Sequence, residues 1–159
     1  MILAIDIDGV IRNFVDKVIE VYKKHYTNHN VPITKKVYNI SLWFPIGDKI
    51  YDFVFEKHAK EIYQEAKPYP KAKKFLEYLK ENGHKVIFVT NQPNEKTKNA
   101  TLKWIEKNRM PHDDIKFTSK KDEIDADVLL DDYTKNLEEF AETGKLAVCF
   151  DRPWNKEWN

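Results

Sequence analysis

The feature that most constrains the fold is an alternation of short, nearly continuous apolar runs with amphipathic stretches. The two strongest runs, VIFVT at 86–90 and DVLLD at 127–131, lack the in–out alternation of a half-exposed strand. Continuous apolar character suits strands covered on both faces. Five strands are expected: Ile2 to Asp6, Lys85 to Thr90, Ile115 to Thr118, Asp127 to Asp131 and Leu146 to Phe150. Between them, KAKKFLEYLKENG sets Ala72, Phe75, Leu76 and Leu79 at helical spacing and ends at Gly83. Glu95 to Asn108 carries Thr101, Trp104 and Ile105 on one side, and NLEEFAET precedes Gly144 in the same way. Strand alternating with helix predicts an α/β fold built on a doubly wound, five-stranded parallel sheet.

One segment breaks this rhythm. From 14 to 67 there is no convincing central strand, only helical stripes: Val15, Val18, Ile19 and Tyr22, then Ile50, Phe53, Val54 and Ile62. Between the stripes lies SLWFPIG, an aromatic loop. The span is too long for an ordinary one-helix crossover. It reads as a helical insert over the end of the first strand, with Lys67-Pro68-Tyr69-Pro70 marking the return to the core. The expected division is therefore a core of 1–13 and 68–159 and a small helical insert of 14–67.

Composition removes several function classes. Only four glycines occur, at positions 9, 47, 83 and 144, which cannot form a G-x-G-x-x-G or G-x-x-x-x-G-K-[ST] phosphate cradle. The net charge of +1 creates no global pull toward nucleic acid or anionic membrane. A single cysteine, Cys149, rules out an internal disulfide framework and a cysteine zinc site. No apolar run reaches the length of a membrane span, and the apolar start before Asp6 is too short for a signal peptide. A cytoplasmic chain with no membrane partner is expected.

The chemistry-bearing residues gather at strand ends. Asp6-Ile7-Asp8-Gly9-Val10 closes the first run, so two carboxylates emerge at the carboxyl edge of the sheet, where open α/β folds place ligands. A turn or cap aspartate accounts for one of them comfortably and for two poorly. Asp131-Asp132 ends VLL; by itself such a pair before a helix is usually a cap. Adjacent aspartates at a buried strand end repel each other unless a cation neutralises them. With Asp6 and Asp8 they make an oxygen-rich cluster of the kind hard Mg²⁺ prefers, provided the first and fourth strands are neighbours. Thr90 and Asn91 follow another strand, where a hydroxyl and backbone N–H groups can donate to phosphate oxygens. Lys120-Lys121 supplies a counter-charge, with Lys121 preferred on its spacing to the aspartate pair.

The ordered set DxD, Thr, Lys, DD resembles the four motifs of the haloacid dehalogenase-like phosphohydrolase superfamily. More closely, TNQP with its TLKW-bearing helix, SKKDEIDADVLLDD and FDRPWN resemble the 5'(3')-deoxyribonucleotidase family. That resemblance implies a Rossmann-like core with a cap inserted after the first strand. It implies Asp6 as nucleophile and Asp8 as acid and then base. Thr90 and Lys121 would hold the phosphoryl group, and Mg²⁺ would rest on Asp6, the Asp8 carbonyl and Asp131, supported by Asp132. The implied substrate is a small phosphomonoester, a nucleoside monophosphate. Trp43 and Phe44 either stack on a nucleobase or pack the insert's own core. Arg152 either reaches the substrate or cap, or belongs to a terminus that Trp154 and Trp158 seal.

Three other readings compete. A nucleic-acid 3'-end phosphatase asks for a basic groove, and only Lys96 to Arg109 offers one. A phospho-accepting signalling receiver uses similar residues in another order, with the phosphorylated aspartate in mid-chain. A non-catalytic binding module would not need every motif residue, and all are present. Oligomeric state is not legible in the sequence.

Overall fold

The computed structural model describes residues 1–31 and 37–156. Five strands, β1 (Ile2–Ile5), β2 (Lys85–Thr90), β3 (Asp114–Phe117), β4 (Val128–Asp131) and β5 (Leu146–Cys149), form one parallel sheet in the order β3-β2-β1-β4-β5. The chain first builds outward from β1 to β3 and then crosses back to β4. β1 and β4 are thus neighbours, and the reversal between them opens the crevice that this topology reserves for ligands.

Both faces of the sheet are covered, which explains the continuous apolar runs. On one face α4 (Ala72–Glu81) and α5 (Glu95–Asn108) bury Leu76, Leu79, Trp104 and Ile105 against Leu3, Ile5 and Phe88. On the other, α6 (Thr134–Glu142) buries Leu137 and Phe140 against Ala4, Ile87, Val89 and Leu129. Within β1, Leu3 and Ile5 face one layer and Ala4 the other, the period-2 alternation of a strand. α5 starts with a reciprocal cap: the Asn94 side chain accepts from the Thr97 N–H at 2.9 Å, and the Asn94 N–H donates to Thr97 Oγ1 at 3.4 Å.

Between β1 and α4 lie α1 (Phe14–His25), a 3₁₀ turn (Ile40–Leu42), α2 (Lys49–Asp52), a π turn (Phe53–Lys57) and α3 (Ala59–Glu65). Val15, Val18, Tyr22, Ile50, Phe53, Val54 and Ile62 meet in a hydrophobic cluster of their own, to which α5 contributes Ala100. The two ends of this segment run side by side. The Asn13 N–H donates to the Lys67 carbonyl and the Tyr69 N–H to the Ile11 carbonyl, each at 2.9 Å. The helices therefore leave and rejoin the sheet at a single place, above the carboxyl end of β1.

Five strand boundaries differ by one residue from expectation: β1 ends at Ile5, β3 runs from Asp114 to Phe117, β4 starts at Val128 and β5 ends at Cys149. β3 begins at Asp114 because that residue pairs with Ile87 of β2. β1 ends at Ile5, although the Asp6 N–H still donates to the Leu130 carbonyl at 2.9 Å. Among the described residues no helix is long and apolar enough to cross a membrane.

Leu76 is fully buried between α4 and the sheet. Leu76→Ala is expected to lower unfolding free energy by about 2–5 kcal/mol in urea titration. A loss below about 1 kcal/mol would show that this face is not the central packing layer.

Candidate active site

The end of β1 turns sharply. The N–H groups of Val10, Ile11 and Arg12 all converge on the Ile7 carbonyl, at 3.3, 3.0 and 2.8 Å. Gly9 takes φ +85°, and a Cβ there would lie 2.0 Å from Asp132 Oδ2. The glycine is required twice over, for the backbone angle and for the approach of the second aspartate pair. The turn and the end of β4 together gather Asp6, Asp131 and Asp132, whose oxygens lie within 4.8 Å of one another, all buried.

Lys121 holds this cluster. Its Nζ donates to Asp6 Oδ1 and Asp131 Oδ2, both at 2.7 Å, and only 3% of the residue is exposed. Lys120 lies at the surface and pairs with Glu123 at 2.7 Å. Asp131 also accepts from Asn136 Nδ2 and from the Tyr133 N–H, each at 2.9 Å. One lysine against three buried carboxylates leaves a negative excess. Burial, with Asp131 and Asp8 nearby, pushes the Asp6 carboxyl up to about 7 despite the pull of Lys121. Burial, followed by the charges of Asp6 and Asp131, raises the Asp132 carboxyl well above the ordinary range.

Asp8 is held by two residues to which the motif pattern gave no role. Arg12, fully buried, grips it bidentately through Nε to Oδ1 at 2.7 Å and Nη2 to Oδ2 at 2.9 Å. Gln92 Nε2 donates to the same Oδ2 at 3.1 Å and to Thr90 Oγ1 at 3.0 Å. Arg12 also donates to the Tyr63 carbonyl and to Thr101 Oγ1, each at 3.1 Å, and lies against the Tyr63 and Trp104 rings. A lone arginine in the run VIRNFV is the sequence signal for this clamp, but it reads equally well as a surface charge.

Above these groups opens a cavity of about 420 Å³. Asp6, Asp8, Thr90, Asn91, Lys121 and Asp132 line its polar end. Phe14, Tyr38, Trp43, Phe55, Tyr63, Tyr133 and Trp154 line its aromatic part. Asp131, a member of the cluster, is fully buried, does not line the cavity and shares Lys121 with Asp6. Tyr38 and Tyr133 stack at 3.9 Å between centroids, and Trp43 and Trp154 lie 5.8 Å apart. Trp43 thus faces the cavity, whereas Phe44 is 4% exposed, packs on Tyr22 at 4.6 Å and lies outside the lining. Arg152 is also outside it. Its Nε donates to the Gly9 carbonyl at 2.6 Å, and its guanidinium covers the Tyr69 and Phe150 rings, so it braces the turn at Gly9. Trp158 lies outside the described residues.

A family model described as 5' nucleotidase, deoxy (pyrimidine), cytosolic type C protein matches residues 1–159. The chain belongs to this family. A protein of Chlorobaculum tepidum with the provisional name 5'(3')-deoxyribonucleotidase is 20% identical over 98% of this chain and 81% of its own. A hydrolase from Streptococcus pneumoniae TIGR4 shares the fold at a TM-score of 0.64 and 12% identity, over 94% of this chain and 92% of that one. A HAD-superfamily hydrolase from Ehrlichia chaffeensis gives 0.53 and 14%, over 94% and 86%. A chain in a structure of the Pnkp1/Rnl/Hen1 complex gives 0.54 and 14%, over 93% of this chain and only 45% of that one. Membership of this 5' nucleotidase family makes the protein a phosphoric monoester hydrolase, and its fold is the one seen in the HAD-superfamily hydrolase.

Hydrolases of this superfamily generally use a divalent metal. The cluster fits one: its donors are carboxylate oxygens, the hard ligands such ions prefer. The charge argument agrees, because a divalent cation would neutralise what Lys121 leaves unbalanced.

Two outcomes follow. Gly9→Ala is expected to lower stability by at least about 1 kcal/mol through its positive φ, and activity further by displacing Asp132. Chemical denaturation and kcat check this, and a fully active variant would refute it. Asp6 is the second case. Its folded-state pKa lies above its ordinary 3.8, so the folded protein binds the extra proton between about pH 4 and 7. The stabilising contribution is complete below about pH 4 and is lost as pH rises through about 7. In chelator, stability of the wild type should fall across this window more steeply than that of Asp6→Asn; equal slopes would contradict the assignment.

Proposed function

We propose that this chain is a Mg²⁺-dependent phosphatase acting on a small phosphomonoester, a 5'(3')-(deoxy)nucleoside monophosphate, through an aspartyl-phosphate on Asp6. The observation that carries this reading is Lys121 shared at 2.7 Å between Asp6 and Asp131, at the base of an aromatic-lined cavity.

The carboxylate of Asp6 is the nucleophile. Its like-charge repulsion from the phosphate is the main barrier, and Lys121 lowers it at the point of attack. When bound, Mg²⁺ on Asp6, the Asp8 carbonyl and Asp131, with Asp132 in support, supplies further charge neutralisation of the phosphoryl oxygens. Thr90 and Asn91, at the end of β2, hold the transferring group. Asp8 gives a proton to the leaving oxygen and then takes one from the hydrolytic water. Both Asp8 oxygens accept from Arg12 or Gln92, so the acid step requires one of those donors to release. Attack by Asp6 forms an O–P bond as the ester O–P bond breaks. Water then cleaves the aspartyl-phosphate and regenerates the carboxylate.

Residues 14–67 act in this reading as a cap over the core of 1–13 and 68–159. The cavity volume suits a nucleoside monophosphate. Trp43 and Trp154 add a chemical argument, because both indole Nε1–H groups are buried without a protein acceptor among the described residues. They are donors available to the carbonyl groups of a base. The expected setting is the cytoplasm.

Asp6→Asn is expected to abolish turnover of a nucleoside monophosphate such as dTMP while leaving the fold intact. Asp8→Asn should lower kcat by about 10²–10⁴-fold. Chelation should stop the wild type and Mg²⁺ restore it. Faster turnover of a 3'-phosphorylated oligonucleotide than of dTMP would overturn the substrate class, and a fully active Asp6→Asn would overturn the mechanism.

A further inference from the structure

A second group of metal-type ligands lies in the helical layer, outside the catalytic cavity. His25 is in the last turn of α1, His58 caps the start of α3, and Glu61 is one turn further on. One ligand atom from each lies within 4.8 Å of the other two. We propose that His25, His58 and Glu61 form a binding site for a transition-metal dication of the Zn²⁺ or Co²⁺ type, clipping α1 to α3.

The donor chemistry separates this site from the catalytic one. Two imidazoles and one carboxylate are the set borderline ions favour, whereas the cluster around Asp6 offers oxygen alone. Three protein ligands leave a further coordination position for water. His58 and Glu61 stand three residues apart and so share one face of the chain as it enters α3. The histidine rings already lie 4.2 Å apart between centroids, and both lie against Phe53, at 5.8 Å from His25 and 4.2 Å from His58.

The backbone supplies an independent observation. Phe53–Lys57 is a π turn, closed by the His58 N–H on the Phe53 carbonyl at 2.9 Å. Such one-residue insertions are rare and tend to re-aim side chains at functional positions. Here the turn delivers His58 to His25. Lys24 is the counter-argument, since its Nζ holds Glu61 at 2.8 Å. Glu20 lies 3.5 Å from the same Nζ, however, so Lys24 has another carboxylate when Glu61 turns to a metal.

The test is calorimetric titration of the full chain with Zn²⁺ in excess Mg²⁺, which occupies the carboxylate cluster. Titration with Co²⁺ followed by visible absorption runs beside it. The expected result is one ion per chain with imidazole-type Co²⁺ bands. His25→Ala and His58→Ala should each weaken binding by about tenfold or more and leave phosphatase turnover unchanged. At 100 times its dissociation constant Zn²⁺ should raise the wild-type Tm by about 5–10 °C, and His25→Ala, at an exposed position, should lose about half of that shift or more at the same Zn²⁺ concentration. Absence of binding, binding unaffected by both histidine variants, or binding removed only by Asp131→Asn would overturn the proposal.

Discussion

Three carboxylates buried around one ammonium group set the terms for the rest of this molecule. Buried charges are tolerated only when paired, and removing one partner strands the others. Asp6, Asp131 and Asp132 therefore need Lys121, and Lys121 needs them. That requirement fixes the sheet order, because only adjacent β1 and β4 bring the two aspartate motifs together. It also fixes Gly9, where any side chain would occupy the place of the Asp132 carboxylate. The surplus negative charge makes the site receptive to a divalent ion.

Arg12 extends the same logic to the helices above the sheet. It is fully buried, yet it bonds at once to Asp8, to the end of α3 through Tyr63 and to α5 through Thr101. Through it the orientation of Asp8 depends on how the helical layer sits on α5. Gln92 ties the same carboxylate to Thr90 at the end of β2. The groups proposed to handle protons and phosphate are thus held in one network that spans three elements. A rigid scaffold of this kind suits a reaction governed by positioning and electrostatics.

Much of the fold was legible because its strands are buried on both faces. VIFVT and DVLLD could hardly belong to a sheet with one face in water, and Glu95 to Asn108 matches α5 from end to end. The carboxylate motifs were legible because strand ends are where a parallel sheet presents ligands. The partners of these motifs were harder to see. Arg12 in VIRNFV and Gln92 in TNQP look like turn or surface residues until the chain is folded. Phe44 and Trp43 are adjacent in sequence and both pack in the helical cluster, yet only Trp43 also lines the cavity. Tyr38 and Tyr133 meet from segments nearly a hundred residues apart and had no local signal at all.

The central claim is that Asp6 attacks phosphorus before water does. The stereochemical course of hydrolysis tests it most directly, with a nucleoside 5'-phosphorothioate made chiral by oxygen isotopes. Two successive in-line displacements, first by Asp6 and then by water, predict net retention at phosphorus. Net inversion would mean a single direct attack by water and would contradict the account.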